Sequence, residues 1–127
     1  MIHRYLKDEA AKAIPGLGWS INFYSGTDNT GTVYTEGGPP GETNDVKTRT
    51  PEYMVYIRSS DWDAAETYAQ QVYDLFHERK QFVITEKGRT FIVYFIEALS
   101  EPIRLGVADN NIMEYSINFR ATLREVF

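Results

Sequence analysis

Residues 110–127 read NNIMEYSINFRATLREVF. Met113, Tyr115, Ile117, Phe119, Ala121, Leu123 and Phe127 occupy odd positions, with Glu125 the one interruption, while Glu114, Ser116, Asn118, Arg120, Thr122 and Arg124 occupy even ones. A period of two is the mark of a strand with one apolar and one polar face. If continuous from Met113 to Phe127, the strand spans roughly 50 Å at ~3.3 Å per residue, against the usual ~5 to 6 residues of strands in globular domains. A strand too long for its own domain predicts unpaired backbone at one end, free to continue a neighbour's sheet.

Upstream, QFVITEKGRTFIVYFIEAL (81–99) reads as a hairpin. Phe82 to Thr85 is one strand, Gly88 supplies the positive φ of the turn, and Thr90 to Leu99 is the other. In that second strand Phe91, Val93 and Phe95 form one apolar face and Ile92, Tyr94 and Ile96 another. One face is expected on a helix over Asp61 to Arg79, the other on the N-terminal helix or a neighbour. The segment between hairpin and closing strand reads as an irregular link.

The run SDWDAAETYAQQVYDLFHER (60–79) carries the clearest helical period, with Ala65, Tyr68, Ala69, Val72, Leu75 and Phe76 on one stripe. Ser60 is its expected cap, and Asp61, Asp63 and Glu66 complement the positive end of the helix dipole. EYMVYIRSS before it reads as a strand. Residues 2–14 place Ile2, Tyr5, Leu6, Ala10, Ala13 and Ile14 at helical spacing, and Pro15-Gly16 ends that helix. WSINFYSG (19–26) follows as a short strand.

From Gly26 to Pro51 the chain holds five of its nine glycines and three of its five prolines, with Val33, Tyr34 and Val46 as the sizeable apolar residues. That composition predicts a long flexible loop, pinned by a brief strand at Thr32 to Thr35, which becomes ordered against a partner. The order of elements gives an α+β domain over residues 1–127, its antiparallel or mixed β-sheet packed against two helices, with the long loop after the first strand.

The formal charge of −5 disfavours non-specific phosphate binding. The absence of cysteine excludes disulfides, thiolate metal sites and thiol catalysis. No stretch approaches the ~18 apolar residues of a membrane span, and the charged N-terminus lacks the core of a secretory signal, which predicts a soluble protein. His3 and His77 read as surface histidines without neighbouring ligands. Asp61, Asp63 and Glu66 form the closest acidic cluster and fit helix capping better than a cation site. Glu97, Asp109 and Glu114 offer carboxylates for acid–base work, but nothing fixes their separation. GGPPGET and GLGW lack the Lys-Ser/Thr of a phosphate loop, and no G-x-S-x-G is present. A domain without a reactive constellation, yet with surplus apolar strand surface, points to assembly.

The runs YMVYIRSSDWDAAETYAQQVYDLF and GRTFIVYFIEALSEPIRLGVADNNIMEYSINFRATL resemble the tail terminator family of long-tailed bacteriophages, often labelled minor capsid proteins. The likeness rests on a strand ending in Arg58, the capped helix, the Gly88 hairpin, Pro102 with Leu105-Gly106 before Asp109-Asn110, and the closing Tyr115 and Asn118-Phe119 strand. It covers Tyr53 to Leu123. Asn111-Ile112 departs from the glycine and basic residue frequent in that family, which predicts a different turn before the last strand. The resemblance implies a structural virion protein without catalysis or cofactor. By the same resemblance it is expected to form a ring of six copies at the head-tail junction, to end polymerisation of the tail tube protein and to meet the head connector or stopper, while DNA passes through without sequence-specific binding. Assembly is expected in the host cytoplasm. Ile92, Tyr94, Ile96, Arg120 and Arg124 are the candidate residues for a subunit or partner interface. The alternatives are another head completion or stopper protein, a tail tube protein, and a small-ligand binding domain or enzyme lined by Tyr53, Tyr56 and Tyr94.

Overall fold

The closing strand organises the whole sheet. In the structure, a computed structural model that describes residues 1–23, 28–43 and 47–127, the chain forms helix α1 (His3–Ala13), strands β1 (Gly18–Ile21), β2 (Thr30–Gly37) and β3 (Glu52–Ser59), helix α2 (Trp62–Phe76), strands β4 (Arg79–Glu86), β5 (Arg89–Ala98) and β6 (Ile103–Ala108), a single 3-10 turn (Asp109–Asn111) and strand β7 (Ile112–Val126). The fold is α+β: a mixed sheet of seven strands and two α-helices among the described residues. Strand order is β1-β2-β3-β7-β5-β4, with β6 also paired to β7.

β7 is continuous over fifteen residues, as its alternation predicts, but it has no overhang. β3 pairs with Met113 to Arg120 along one edge. Beyond β3, Arg49 and Leu123 exchange backbone bonds of 2.7 and 2.9 Å, and the Ala121 N–H donates to the Pro51 carbonyl at 3.0 Å. Along the other edge β6 takes Ile112 to Ser116 and β5 takes Phe119 to Val126. The expected free end is therefore used internally. β5 and β6 are two halves of one antiparallel path beside β7, so the expected irregular link is largely β6.

A second correction concerns the long loop. Thr30 to Gly37 is a strand inside the sheet, parallel to β1 and antiparallel to β3. Its loop-like composition has a packing cause: the ring of Trp19 lies across Gly31, where a Cβ would come within 2.6 Å of it. Trp19 in turn donates from Nε1 to the Ile14 carbonyl at 2.9 Å, fastening the end of α1. Val33 is fully buried. Tyr24 to Gly26 of the expected first strand, and Val46 with its two preceding residues in the expected loop, lie outside the described residues.

Both helices cover the same face of the sheet. Ile2, Leu6, Ala10 and Ile14 of α1 and its flanks join Ala69, Val72 and Phe76 of α2 over Val55, Ile57, Phe91, Val93, Ile117, Phe119 and Leu123. The Phe76 and Phe119 rings meet edge to face at 5.6 Å. The sheet curls around α1: its β1 side is held through Trp19, and its β4 side by Arg79, which donates to Glu9 at 3.0 Å and lies over Tyr5 and Phe82. Among the described residues no α-helix thus lies on the other face of β5, so of the two expected contacts there, α1 or a neighbour, α1 is not the one.

α2 begins one residue later than expected. Asp61, rather than Ser60, caps it, accepting from the Ala64 N–H at 3.1 Å. The Ser60 hydroxyl and N–H are both committed to the Asp28 carboxylate, which holds that acid below its ordinary range. The helix stops at Phe76 instead of Arg79, because Arg79 already pairs with Ile96 in the hairpin. The hairpin turn itself is as expected, with Lys87 at φ 50° and Gly88 at φ 77° between Glu86 and Arg89.

Candidate assembly surface

The helix-free face of the sheet is polar and largely self-paired. Pairing aligns Thr30, Arg58 and Glu114 in one row, Thr32, Tyr56 and Ser116 in the next, and Glu52, Arg120 and Glu97 further along. Arg58 and Glu114 form a 2.8 Å ion pair with little exposure, and Tyr56 donates its hydroxyl to the same carboxylate. A charge this buried persists only when paired. Arg120 lies between two acids, 3.7 Å from Glu52 and 3.8 Å from Glu97, at exposures that make such contacts weak.

This face gathers four of the five residues expected at an interface. Ile92 pairs with Arg124, the Tyr94 hydroxyl accepts from Arg124 Nε at 2.8 Å, and Arg120 stands on the same side. Ile96 is not with them. The register between β5 and β7 shifts between Val93 and Phe95, so Tyr94 is an extra residue and the parity of β5 reverses beyond it. Ile96 consequently points into the core at 1% exposure and Phe95 turns outward at 37%. A period-two reading has no means of seeing a bulge.

Three strands form the outer edges, and they differ in kind. β4 carries exposed Lys80 and, in mid-strand, exposed Gln81 at φ 55°. A lysine and a backbone kink are the features that deter pairing with another chain. β6 has neither. It rests on β7, its other side has no strand partner among the described residues, and Ile103, Leu105 and Val107 are 43%, 52% and 43% exposed. Leu105 is prominent because it is the extra residue of a second bulge, beside Gly106 at φ 113°. The third edge is β1, which among the described residues pairs with β2 alone and is followed by Phe23 at 67% exposure. Sequence reasoning missed β6 entirely, although the alternation of Ile103, Leu105 and Val107 was there to be read.

The chemical alternatives find little in the geometry. Among the described residues no group of three His, Cys, Asp or Glu side chains could hold a metal ion. Glu97 shares the level of Arg120, whereas Glu114 lies six residues further along β7, roughly 20 Å away at strand rise and too far for a paired-carboxylate mechanism. The three tyrosines expected to line one pocket are divided between the faces. Tyr53 is buried on the helix side, its hydroxyl accepting from the Ile2 N–H at 3.1 Å, while Tyr56 and Tyr94 stand on the other. Burial pushes the Tyr53 hydroxyl up to about 12. His77 is no idle surface residue: it stacks on Tyr73 and its Nδ1 accepts from the Ala98 N–H at 3.0 Å. His3 places Nδ1 2.8 Å from the Met1 amine, and burial lowers its affinity for a proton.

A family described as bacteriophage tail terminator protein matches residues 22–125. The chain belongs to this tail terminator family. It is a structural protein of bacteriophage, a component of the virion. No curated protein matches it. The match extends across β2 to β7, including the β6 edge and both strands of the hairpin. At the turn before β7, Asn110 and Asn111 hold φ of 66° and 60°, a region that asparagine tolerates better than other side chains.

Proposed function

We propose that this chain caps the tail tube of its phage, ending polymerisation of the tube protein and joining the tail to the head connector, as a ring of six copies and without catalysis. Membership of the tail terminator family supports the role. The observation that carries it to a mechanism is the bare apolar edge of β6, a surface suited to pairing with another chain and a liability if left open. The ring sits at the head-tail junction after assembly in the host cytoplasm.

The distribution of charge suits a passage for DNA. Residues 61–78 contain five acids and no lysine or arginine, as many as the net excess of the whole chain. The acid thus belongs to α2 and its flanks. The sheet face opposite the helices balances Arg58, Arg120 and Arg124 against Glu52, Glu97 and Glu114, leaving no basic stripe to grip phosphate.

Deleting the gene from its phage tests this reading. The expected particles are filled heads beside unjoined tails of abnormal length. Tails of ordinary length joined to heads would contradict it, as would loss of a measurable reaction on changing one carboxylate.

A further inference from the structure

We propose that β6 of one copy pairs antiparallel with β1 of the next, so that the ring is closed by a sheet running through all its members; this rests on the ring reading above and names the two edges that build it. The first ground is the level of the two strands. Ser20 pairs with Thr32, Thr32 with Tyr56, Tyr56 with Ser116 and Ser116 with Ile103, so one row crosses the sheet from β1 to β6. The neighbouring rows do the same, from Gly18 to Gly106 and from Trp19 to Arg104. The two edges are opposite ends of the same rows. Joining them adds copies without a climb along the strand direction, which a head-to-tail contact needs if it is to close into a ring instead of growing as a helical filament.

The second ground is direction. β1 runs parallel to β2, and each later step across β3, β7 and β6 is antiparallel. β6 therefore runs opposite to β1, and successive copies meet in the antiparallel sense, in which strands pair slightly more stably. The third is chemistry. Neither strand contains an acid, β6 has Arg104 as its one charge, and both edges carry apolar side chains: exposed Ile103, Leu105 and Val107 on one, half-buried Ile21 with exposed Phe23 just beyond on the other. β4, the remaining edge, is guarded by Lys80 and by the kink at Gln81. A tube or connector protein would need only one open edge; this chain has two that match each other.

The chain lacks cysteine, so single thiols can report the contact without background. Gly18→Cys places one on the exposed start of β1, where a Cβ meets nothing closer than 3.9 Å, and Ile103→Cys places one on β6. Treated with a short bismaleimide, an equal mixture of the two variants should give cross-linked dimer, either variant alone should give none, and the double variant should give a ladder ending at the ring number. Val83→Cys on β4 should not link to Gly18→Cys. Unchanged melting temperatures establish that the variants fold, and Ser20→Cys replaces Gly18→Cys if it does not. Dimer from Ile103→Cys alone, capture of that variant by purified tube protein, or rings visible by electron microscopy without β1–β6 cross-links would overturn this pairing and leave the ring standing. Absence of any ring in micrographs and native mass spectra, with tube protein present, would overturn the ring reading as well.

Discussion

The two halves of the path beside β7 have similar alternation and opposite fates. β5 is flanked by β4 and lies over α2, so Phe91, Val93 and Ile96 are buried; β6 continues the same path with no described strand outside it, and Ile103, Leu105 and Val107 stand in the open. What separates a folding residue from an assembly residue in this protein is which neighbouring element reaches it. Within β5 the contrast is sharper still, since the bulge at Tyr94 puts Ile96 in the core and leaves Ile92 on the helix-free face.

That contrast can be broken by the same charge placed on each side of it. Ile96→Asp should prevent folding, with a loss above about 4 kcal/mol, because a carboxylate without a partner enters the apolar layer between sheet and α2. Ile92→Asp should leave a folded chain. Thermal melts of the two variants decide, and equal damage from both would mean that the helix-free face is as closed as the core. Next in size, Phe119→Ala should cost roughly 3 to 5 kcal/mol by opening a cavity against Phe76. Leu105→Asp and Val107→Asp should move stability by only about 0.5 kcal/mol and abolish assembly, read by melting and by native mass.

The alkaline limb sharpens the account of the helix side. Tyr53 has its folded value pushed up to about 12 from 10.0. Its stabilising contribution is complete below the unfolded value and is lost as pH rises from there through the folded one, because above pH 10 the unfolded chain sheds a proton that the folded chain retains. The expected loss between pH 10 and 12 is on the order of 2 kcal/mol. Tyr53→Phe should flatten that slope, at a neutral-pH cost of about 1 to 2 kcal/mol for the orphaned Ile2 N–H. An unchanged slope in denaturant melts would place the source elsewhere.

The smallest effect separates two parts of one supposed loop. Amide exchange should be slow over β2, Thr30 to Gly37, whose backbone is held between β1 and β3, and fast over Gly38 to Gly41, which belongs to no strand among the described residues. Equal protection in the isolated chain would contradict the boundary at Gly37.

Both helices, the hairpin and the continuous β7 were legible because each rests on a local period or a local turn requirement. The alternation of β7 even encodes its exception: Glu125 stands on the apolar side at the strand end, where Arg89 binds it through two nitrogens at 2.9 and 2.5 Å. What sequence could not supply was what lies beside each strand. Gly31 looks like a loop residue until the Trp19 ring is placed over it, and Ile96 looks like a partner of Ile92 until Tyr94 bulges out. The alternation of β6 was present but hidden by Pro102 and Gly106, which read as an irregular link. The overlong strand was a correct observation with a wrong consequence, because its spare length is spent on three partners from its own chain.

The most direct measurement is the length of tubes grown from purified tail tube protein, imaged before and after this chain is added. Growth should stop on addition, with a ring at one end of each tube, and Leu105→Asp should fail to stop it. Tubes that lengthen at the same rate with and without the wild-type chain would contradict the proposed role as a cap.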